Sequence, residues 1–492
     1  MVKFTNKSTE TRKGSVIAYA LVITSVVSII LVSMLQYISS QLKFSSNRIE
    51  RERSFQIAES GIQFYRWYLS HETSGKNPDE VRDFWENGNP YGVASPYESE
   101  FSDPEGGIIG KYRIEVQPPN PGSTIAIVKS TGWTYREPEA ERIIQARIRR
   151  ASWSEHSILA NDMMHFGPDT EVYGKIHSNF GVRFDGLAHN TVSSSVEQYD
   201  DPDHSGDNEF GVHTHVDPDN GSVGNNFQES EAPPNPVPVR YDVFEAGREF
   251  PTPVIDFNGI TVDLSFMKSQ AQAGHGIYYD NSECSGETNY GRHITINGST
   301  MTVSTVTQYN NGNYSILTEG CTLNNVNIPN DGIVFVENNI WIEGTINDRR
   351  VTFVAANLLG GESAGIYLGM DNLLYTNFDG SDIIGLVAQH DVEVIQESLY
   401  DLTIDAAIIT QSGRAGRNYY TPFGCASESC EDHKGTLTIN GALATYLRYG
   451  FAYTNGTGYS RRILNFSNIL LYFPPPYFPT GADYVIDLWE EL

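Results

Sequence analysis

Residues Ser15–Leu69 read SVIAYALVITSVVSIILVSMLQYISSQLKFSSNRIERERSFQIAESGIQFYRWYL. No glycine or proline falls between Ser15 and Ser60, and the 23 residues from Val16 to Ile38 carry no charge. A helix of about 20 apolar residues crosses a bilayer, and in lipid a spanning segment must satisfy its own backbone hydrogen bonds. The helical pattern then continues past the span. Phe55, Ala58, Ile62, Tyr65 and Leu69 recur at spacings of 3, 4, 3 and 4, which is an apolar stripe on one helix face. Arg48 and Glu52 stand four apart and can pair across one turn. The spacing predicts one helix over 15–71, roughly 80 Å long at about 1.5 Å per residue. Its first half, 16–38, would lie in lipid, and its second half would lay its stripe on a folded domain.

The flanks orient this helix. Lys3, Lys7, Arg12 and Lys13 precede the span, and positive flanks stay in the cytoplasm. The remainder is therefore expected outside the cytoplasm, on a single-pass membrane protein. A cleaved secretory signal fits poorly, because its apolar region spans about 7–15 residues and ends at a small-residue cleavage site.

Two short motifs carry a family resemblance. Arg12-Lys13-Gly14 followed by Ser15-Val16-Ile17-Ala18 resembles the leader and cleavage point of a type IV prepilin. Ala58-Glu59-Ser60-Gly61 resembles the Ala-Glu-Ala/Ser-Gly stretch in the helix of PilX- and GspK-like minor pilins. The resemblance implies a leader over 1–14 cut between Gly14 and Ser15 by a prepilin peptidase. It implies a part in type IV pilus or pseudopilus assembly. The partners implied are the membrane, other pilins and inner-membrane pilus assembly proteins. Major pilins carry Glu at the fifth position after the cleavage glycine, where this chain has Tyr19; that departure points to a minor or tip subunit.

Composition narrows the alternatives. At 492 residues with 28 tyrosines, the chain accommodates two or three folded domains. The net charge of −28 is uneven: residues 1–71 hold nine Lys/Arg against four Asp/Glu, and the rest hold 24 against 57. So acidic a body repels nucleic acid, so no nucleic-acid partner is expected. Cys284, Cys321, Cys425 and Cys430 all lie in the exported part. Four cysteines in an oxidising compartment suggest disulfides, with three connectivities open. Cys284–Cys321 with the short loop Cys425–Cys430 is the favoured set; a zinc site is the rival, but Cys425 and Cys430 have no second pair at metal spacing.

Along the chain, residues 72–107 read as loop, with turn signals at Asn87-Gly88 and Asp103-Pro104. Strands are predicted at Lys111–Val116, Thr124–Ser130 and Arg142–Arg149. Ile125 and Ile127 are expected on the inner face of the second, and Ile144, Ala146 and Ile148 on that of the third. With the helix stripe, residues 72–153 would form a pilin-like helix-on-sheet module. Residues 154–331 read as irregular and β-rich, interrupted by an acidic, proline-rich loop over 200–238 and a short helix at Val262–Ala273.

From Gly332 the sequence repeats. Short apolar strands start near 333, 351, 383 and 402, at intervals of 18, 32 and 19 residues. An interval of about 20 is one coil of a parallel β-helix, and Asn338, Asn339 and Asn347 suit its corners. A β-sandwich, with strands every 8–12 residues or so, is the rival. The arrangement from Gly332 to the end also resembles exported PilX-like proteins with a β-helical passenger. The expected fold is α+β: a long pilin-like helix with a small antiparallel sheet, then a mainly-β region forming a right-handed parallel β-helix over 332–492. Pro474–Pro479 (PPPYFP) is expected to cap its open end.

Two groups of residues suit chemistry. His213 and His215 share one face of an extended segment amid Asp201, Asp203, Asp207, Asp217 and Asp219. The loop lacks the spacing of a calcium motif, and a solvated acidic loop is the expectation, with no metal and no cofactor. Asp391, Asp401 and Asp405 fall where β-helical glycosidases place paired carboxyls, but aspartates at strand turns are common, and no catalytic residue is assigned. Function therefore reads as a membrane-anchored minor pilin displaying a β-rich body, with an anchored polysaccharide-active enzyme or a surface adhesin as alternatives.

Overall fold

The run of helix formers after the basic leader produces a single helix, α1, from Lys13 to Thr73 in the computed structural model. Residues 13–492 are described except 74–75, 77, 89–90, 104–105, 120–124, 204–207, 225–228, 258–259, 421–431 and 454. At about 1.5 Å per residue, α1 is roughly 90 Å long. No residue from Val16 to Ile49 is buried, and burial begins at Glu50. Beyond that point Ile57, Ala58, Ile62, Tyr65 and Leu69 are fully buried, the isoleucine and leucine side chains contributing about 1.5–3 kcal/mol each.

What buries them is an antiparallel sheet of five strands. In chain order, β1 (Tyr97–Ser102), β2 (Ile108–Gln117), β3 (Ala126–Thr134) and β4 (Arg142–Ser152) lie side by side. The fifth strand is the C-terminal one, Thr480–Glu491, which pairs with β4 so that Ile486 faces Ile148 and Trp489 faces Ala146. Tyr112, Ile114 and Val116 of β2, Ile144, Ala146 and Ile148 of β4, and Tyr484 complete the core under α1.

Three expectations for this module are corrected. Residues 72–107 are not all loop: they include Pro78–Asp83 in α-helix, a π turn at Phe84–Gly88, and β1. Glu98 and Glu100 face solvent and hide the alternation of Tyr97 and Phe101, which pack against the core. The inner face of β3 is Ala126, Val128 and Ser130, while Ile125 and Ile127 are half-buried. Helix and strand approach too closely there for larger side chains. The C-terminal residues do not cap a coil; the last strand returns to the module.

The body between β4 and that last strand is built of parallel ladders within one 21-stranded sheet. Gly276–Tyr279, Gly332–Val336, Arg350–Ala355, Ile383–Ala388 and Leu402–Thr410 pair in succession, all parallel. His433–Thr445 follows. The next neighbour is Ile158–Ala160, from the start of the body, which pairs with Leu443–Thr445 and then with Ile176–Ser178. The strands therefore do not part at 331/332, because residues 158–194 extend the stack that 332–445 builds. A second row runs Gly291–Gly298, Asn339–Ile346, Ile366–Leu368, Val392–Val394 and Ala415–Arg417. Ile158, Val334, Phe353, Leu386, Ile408 and Leu443 fill the space between rows.

Side-chain amides fasten neighbouring turns, as Asn339 shows: its Nδ2 donates to Tyr290 O at 3.0 Å and its Oδ1 accepts from Gly365 N at 2.9 Å. The helix expected at Val262–Ala273 spans Ile260–Gln270 and ends in a π turn, Ala271–His275. Leu264 and Met267 pack on Ile333 and Phe335. Pro474–Pro479 lies along the flank of the stack. Arg350 donates to Pro474 O at 3.1 Å, and Phe478 packs with Ile383 and Val387. A proline run has no N–H to offer a ladder, so it crosses the strands and carries the chain back to the module.

Candidate functional site

The feature that sets this chain apart is the change of surroundings along α1. Its first half exposes Val, Ile and Leu all round, and it is long and apolar enough to cross a membrane. At Glu50 the helix meets the sheet. That carboxylate is buried and paired with Arg53 at 3.0 Å and Arg136 at 3.7 Å. A buried charge is tolerated where it is paired, and this pair ties the emergence of α1 to the loop after β3.

One turn or two further on stands Ala58-Glu59-Ser60-Gly61. Ala58 and Gly61 face the sheet, and the reason for their size is direct. A Cβ on Gly61 would collide with Ser130 Oγ, and one on Gly132 of β3 would collide with Ser54 O and Ala58 N. Small residues on both partners let helix and strand backbones touch. Ser60 turns back on the helix, donating to Ile57 O at 2.6 Å. Glu59 is exposed on the rim of an open groove of about 650 Å³ lined by Phe55, Gln63, Arg66, Val485, Ile486 and Trp489. Arg66 does not pair with Glu59; it donates to Tyr484 O at 3.0 Å and so holds the C-terminal strand against α1. That strand is held from the other side as well, since Asp487 accepts from Arg147 at 2.7 and 2.9 Å and from Arg149.

The remaining predicted positions distribute as follows. Gly14 and Ser15 lie in the first turn of α1, and Tyr19 is exposed. Cys284 and Cys321 form a disulfide with Cα atoms 5.8 Å apart, at the base of the antiparallel hairpins of residues 291–327. Cys425 and Cys430 lie outside the described residues, as does Asp207.

Asp391, Asp401 and Asp405 each fasten one turn to the next. Asp391 accepts from Arg414 N at 2.8 Å, Asp401 from Thr436 N at 2.7 Å, and Asp405 from Tyr375 N at 2.9 Å and Asn440 Nδ2 at 2.7 Å. Carboxylates spent on backbone amides are poorly placed for acid–base work.

His213 and His215 depart most from expectation. They sit in no solvated loop: both are buried, as is Asp201, and these three side chains converge. Asp217 and Asp219 instead form an exposed turn, with Asp219 N donating to Asp217 at 2.8 Å. Sequence reasoning also missed Gly132 and the Glu50–Arg136 pair. Gly132 falls two residues past the predicted strand Thr124–Ser130, inside the observed strand, where glycine marks a close backbone approach.

No family model matches the chain, and no curated protein matches it. Among solved structures, the competence-associated pilin ComZ from Thermus thermophilus is similar over 90% of this chain and 98% of its own. The identity is 12% and the TM-score 0.31. A similarity at that level assigns this chain to no family.

Proposed function

We propose that this chain is an exported, membrane-anchored, minor pilin-like protein that takes part in assembling a type IV pilus or pseudopilus and carries its β-rich body at the tip. The observation that carries the reading is the division of α1 at Glu50 into a wholly exposed apolar half and a half packed on an antiparallel sheet. The exposed half serves as membrane anchor first and as packing element among other pilin helices later. Prepilin peptidase and inner-membrane assembly proteins are the partners this implies. The parallel ladders support a β-helical body inserted between the fourth and last strands of the module, where its size does not disturb the helix. Such a body, spanning residues 153–479, is hard to repeat along a closely packed shaft. Tyr19 supplies no carboxylate to a neighbour's N-terminal amine, and both features favour a single copy at the end. The body is then free to meet a surface ligand or polysaccharide. Immunogold labelling against the body tests this: sparse label at filament ends or cell-surface complexes is expected, and regular label along shafts would overturn the tip assignment.

A further inference from the structure

Asp201, His213 and His215 come together although twelve residues separate the first two. His213 belongs to the short strand Val212–His213, which pairs parallel with Val182–Phe184 and places His213 beside Arg183. His215 lies two residues on, and in extended chain positions two apart share a face. The imidazole rings are 5.2 Å apart. Asp201 follows the strand Gln198–Tyr199, and its Oδ2 is 3.5 Å from His213 Nε2. One donor atom from each of the three residues lies within 4.8 Å of the others.

This cluster is buried: His213 is 0% exposed, His215 1% and Asp201 3%. Yet neither ring nitrogen of His213 has a hydrogen-bond partner among the described residues, nor does Asp201 Oδ2. A buried polar atom left so costs about 1–3 kcal/mol, and His213 Nε2 and Asp201 Oδ2 stand 3.5 Å apart, near enough for one ion to meet both. The surrounding charge is one-sided as well. Asp185 and Asp201 are both buried. The buried cation among them is Arg183, whose Nε is engaged by Asp185 at 2.7 Å and whose Nη1 is 3.7 Å from Asp201. His165 stands 3.4 Å from Asp185 and 3.0 Å from Asp203, which Arg448 also pairs. Buried carboxylates in excess of cations are tolerated where they meet a metal ion.

We propose that Asp201, His213 and His215 bind one divalent transition-metal ion, with zinc the best fit. Two imidazoles and a carboxylate match zinc and its neighbours in the first transition row, whereas calcium and magnesium take oxygen donors. The three donors leave zinc a further position for water or a nearby carboxylate. The ion would tie the chain at Asp201 to that at His213 and His215, beside the small sheet in which Val212–His213 pairs with Val182–Phe184. This inference stands on the body alone and does not depend on the pilin reading.

The test uses the full-length chain in detergent, stripped with a chelator and titrated with zinc chloride against a chromophoric competitor. Uptake of about one equivalent per chain is expected for a three-ligand site. His213→Gln and Asp201→Asn should each weaken it at least about tenfold, since losing even an outer-shell partner costs that much. Asp219→Asn, in the exposed turn, should leave it unchanged. Absence of uptake by the unaltered chain, or unchanged affinity in both ligand variants, would overturn the proposal and leave a His213–Asp201 ion pair as the account of the cluster. Should the variants not fold, cobalt(II) bound to the unaltered chain decides. Bands of a four- or five-coordinate nitrogen–oxygen site support the proposal, and the spectrum of the free aqueous ion refutes it.

Discussion

Replacing Gly132 by alanine tests whether close backbone contact is what seats α1 on its sheet. The added Cβ would stand 2.9 Å from Ala58 Cα and nearer still to Ala58 N and Ser54 O. Ordinary carbon contacts are about 3.5–4 Å, so the shortfall is roughly 1 Å. Every atom met is helix backbone, and no rotamer change can relieve it. Overpacking of this kind costs about 1–3 kcal/mol and more when backbone must move. Loss of glycine's freedom in the unfolded chain returns about 0.4–1 kcal/mol. A net loss of about 2 kcal/mol is expected, which for a unit of this size lowers the midpoint by about 8 °C.

Gly61→Ala differs in kind, because its Cβ meets Ser130 Oγ, a side-chain atom, and the Tyr112 ring at 3.1 Å. Adding Ser130→Ala should therefore recover much of the loss in Gly61→Ala and none of that in Gly132→Ala. Gly88→Ala, where the nearest atoms are 3.8 Å away, is the control. Calorimetry of the detergent-solubilised chain reads all five. A Gly132→Ala midpoint equal to that of the unaltered chain, or equal rescue of both variants by Ser130→Ala, would refute the reasoning.

Three further outcomes follow from the body and its closure. Burial raises the Glu393 carboxyl from its usual 4.5 to about 7, against the pull of Arg414 and the Asn418 amide. The folded chain therefore keeps a proton that the unfolded chain releases between those values. Glu393's contribution to stability is greatest below about pH 4.5 and falls as pH rises through 7. Glu393→Gln should gain on the unaltered chain by up to about 3 kcal/mol between pH 5 and 8, and a gap that does not change with pH in denaturant titrations would contradict this. Asp487→Asn removes the negative charge shared by Arg147 and Arg149 and one of its two acceptor oxygens. It should cost about 2 kcal/mol and speed hydrogen exchange in the C-terminal strand before the ladders; uniform exchange would count against it. Cys284→Ser opens a loop of 37 residues, worth up to about 4 kcal/mol in chain entropy, and an unchanged unfolding midpoint under oxidising conditions would show the loop constrained by other contacts.

Legibility followed the range of the interactions. α1 was readable because its signal is local: an unbroken apolar run, then a stripe at Phe55, Ala58, Ile62, Tyr65 and Leu69. The strands near 333, 351, 383 and 402 were readable because parallel strands paired in succession repeat an apolar pattern. The meeting of Leu443–Thr445 with Ile158–Ala160 joins segments nearly three hundred residues apart, and no local pattern announces such a pairing. The return of the last strand to β4 was hidden for the same reason, with a proline run before it that resembles a terminus. The inner face of β3 was misread because Ile125 and Ile127 are the larger residues, whereas the close approach at Gly132 selects small ones. His213 and Asp201 look like surface residues in any hydropathy reading; their burial depends on neighbours that the sequence does not place.

The central claim is that α1 begins life behind a prepilin leader and enters an assembly by its exposed half. Intact-mass measurement of the chain recovered from membranes of cells that carry a prepilin peptidase tests it most directly. The account predicts a mature N-terminus at Ser15, lost when Gly14 is replaced by a bulky residue while membrane insertion persists. A chain still beginning at Met1 in such cells, or one trimmed beyond Ile38, would contradict it.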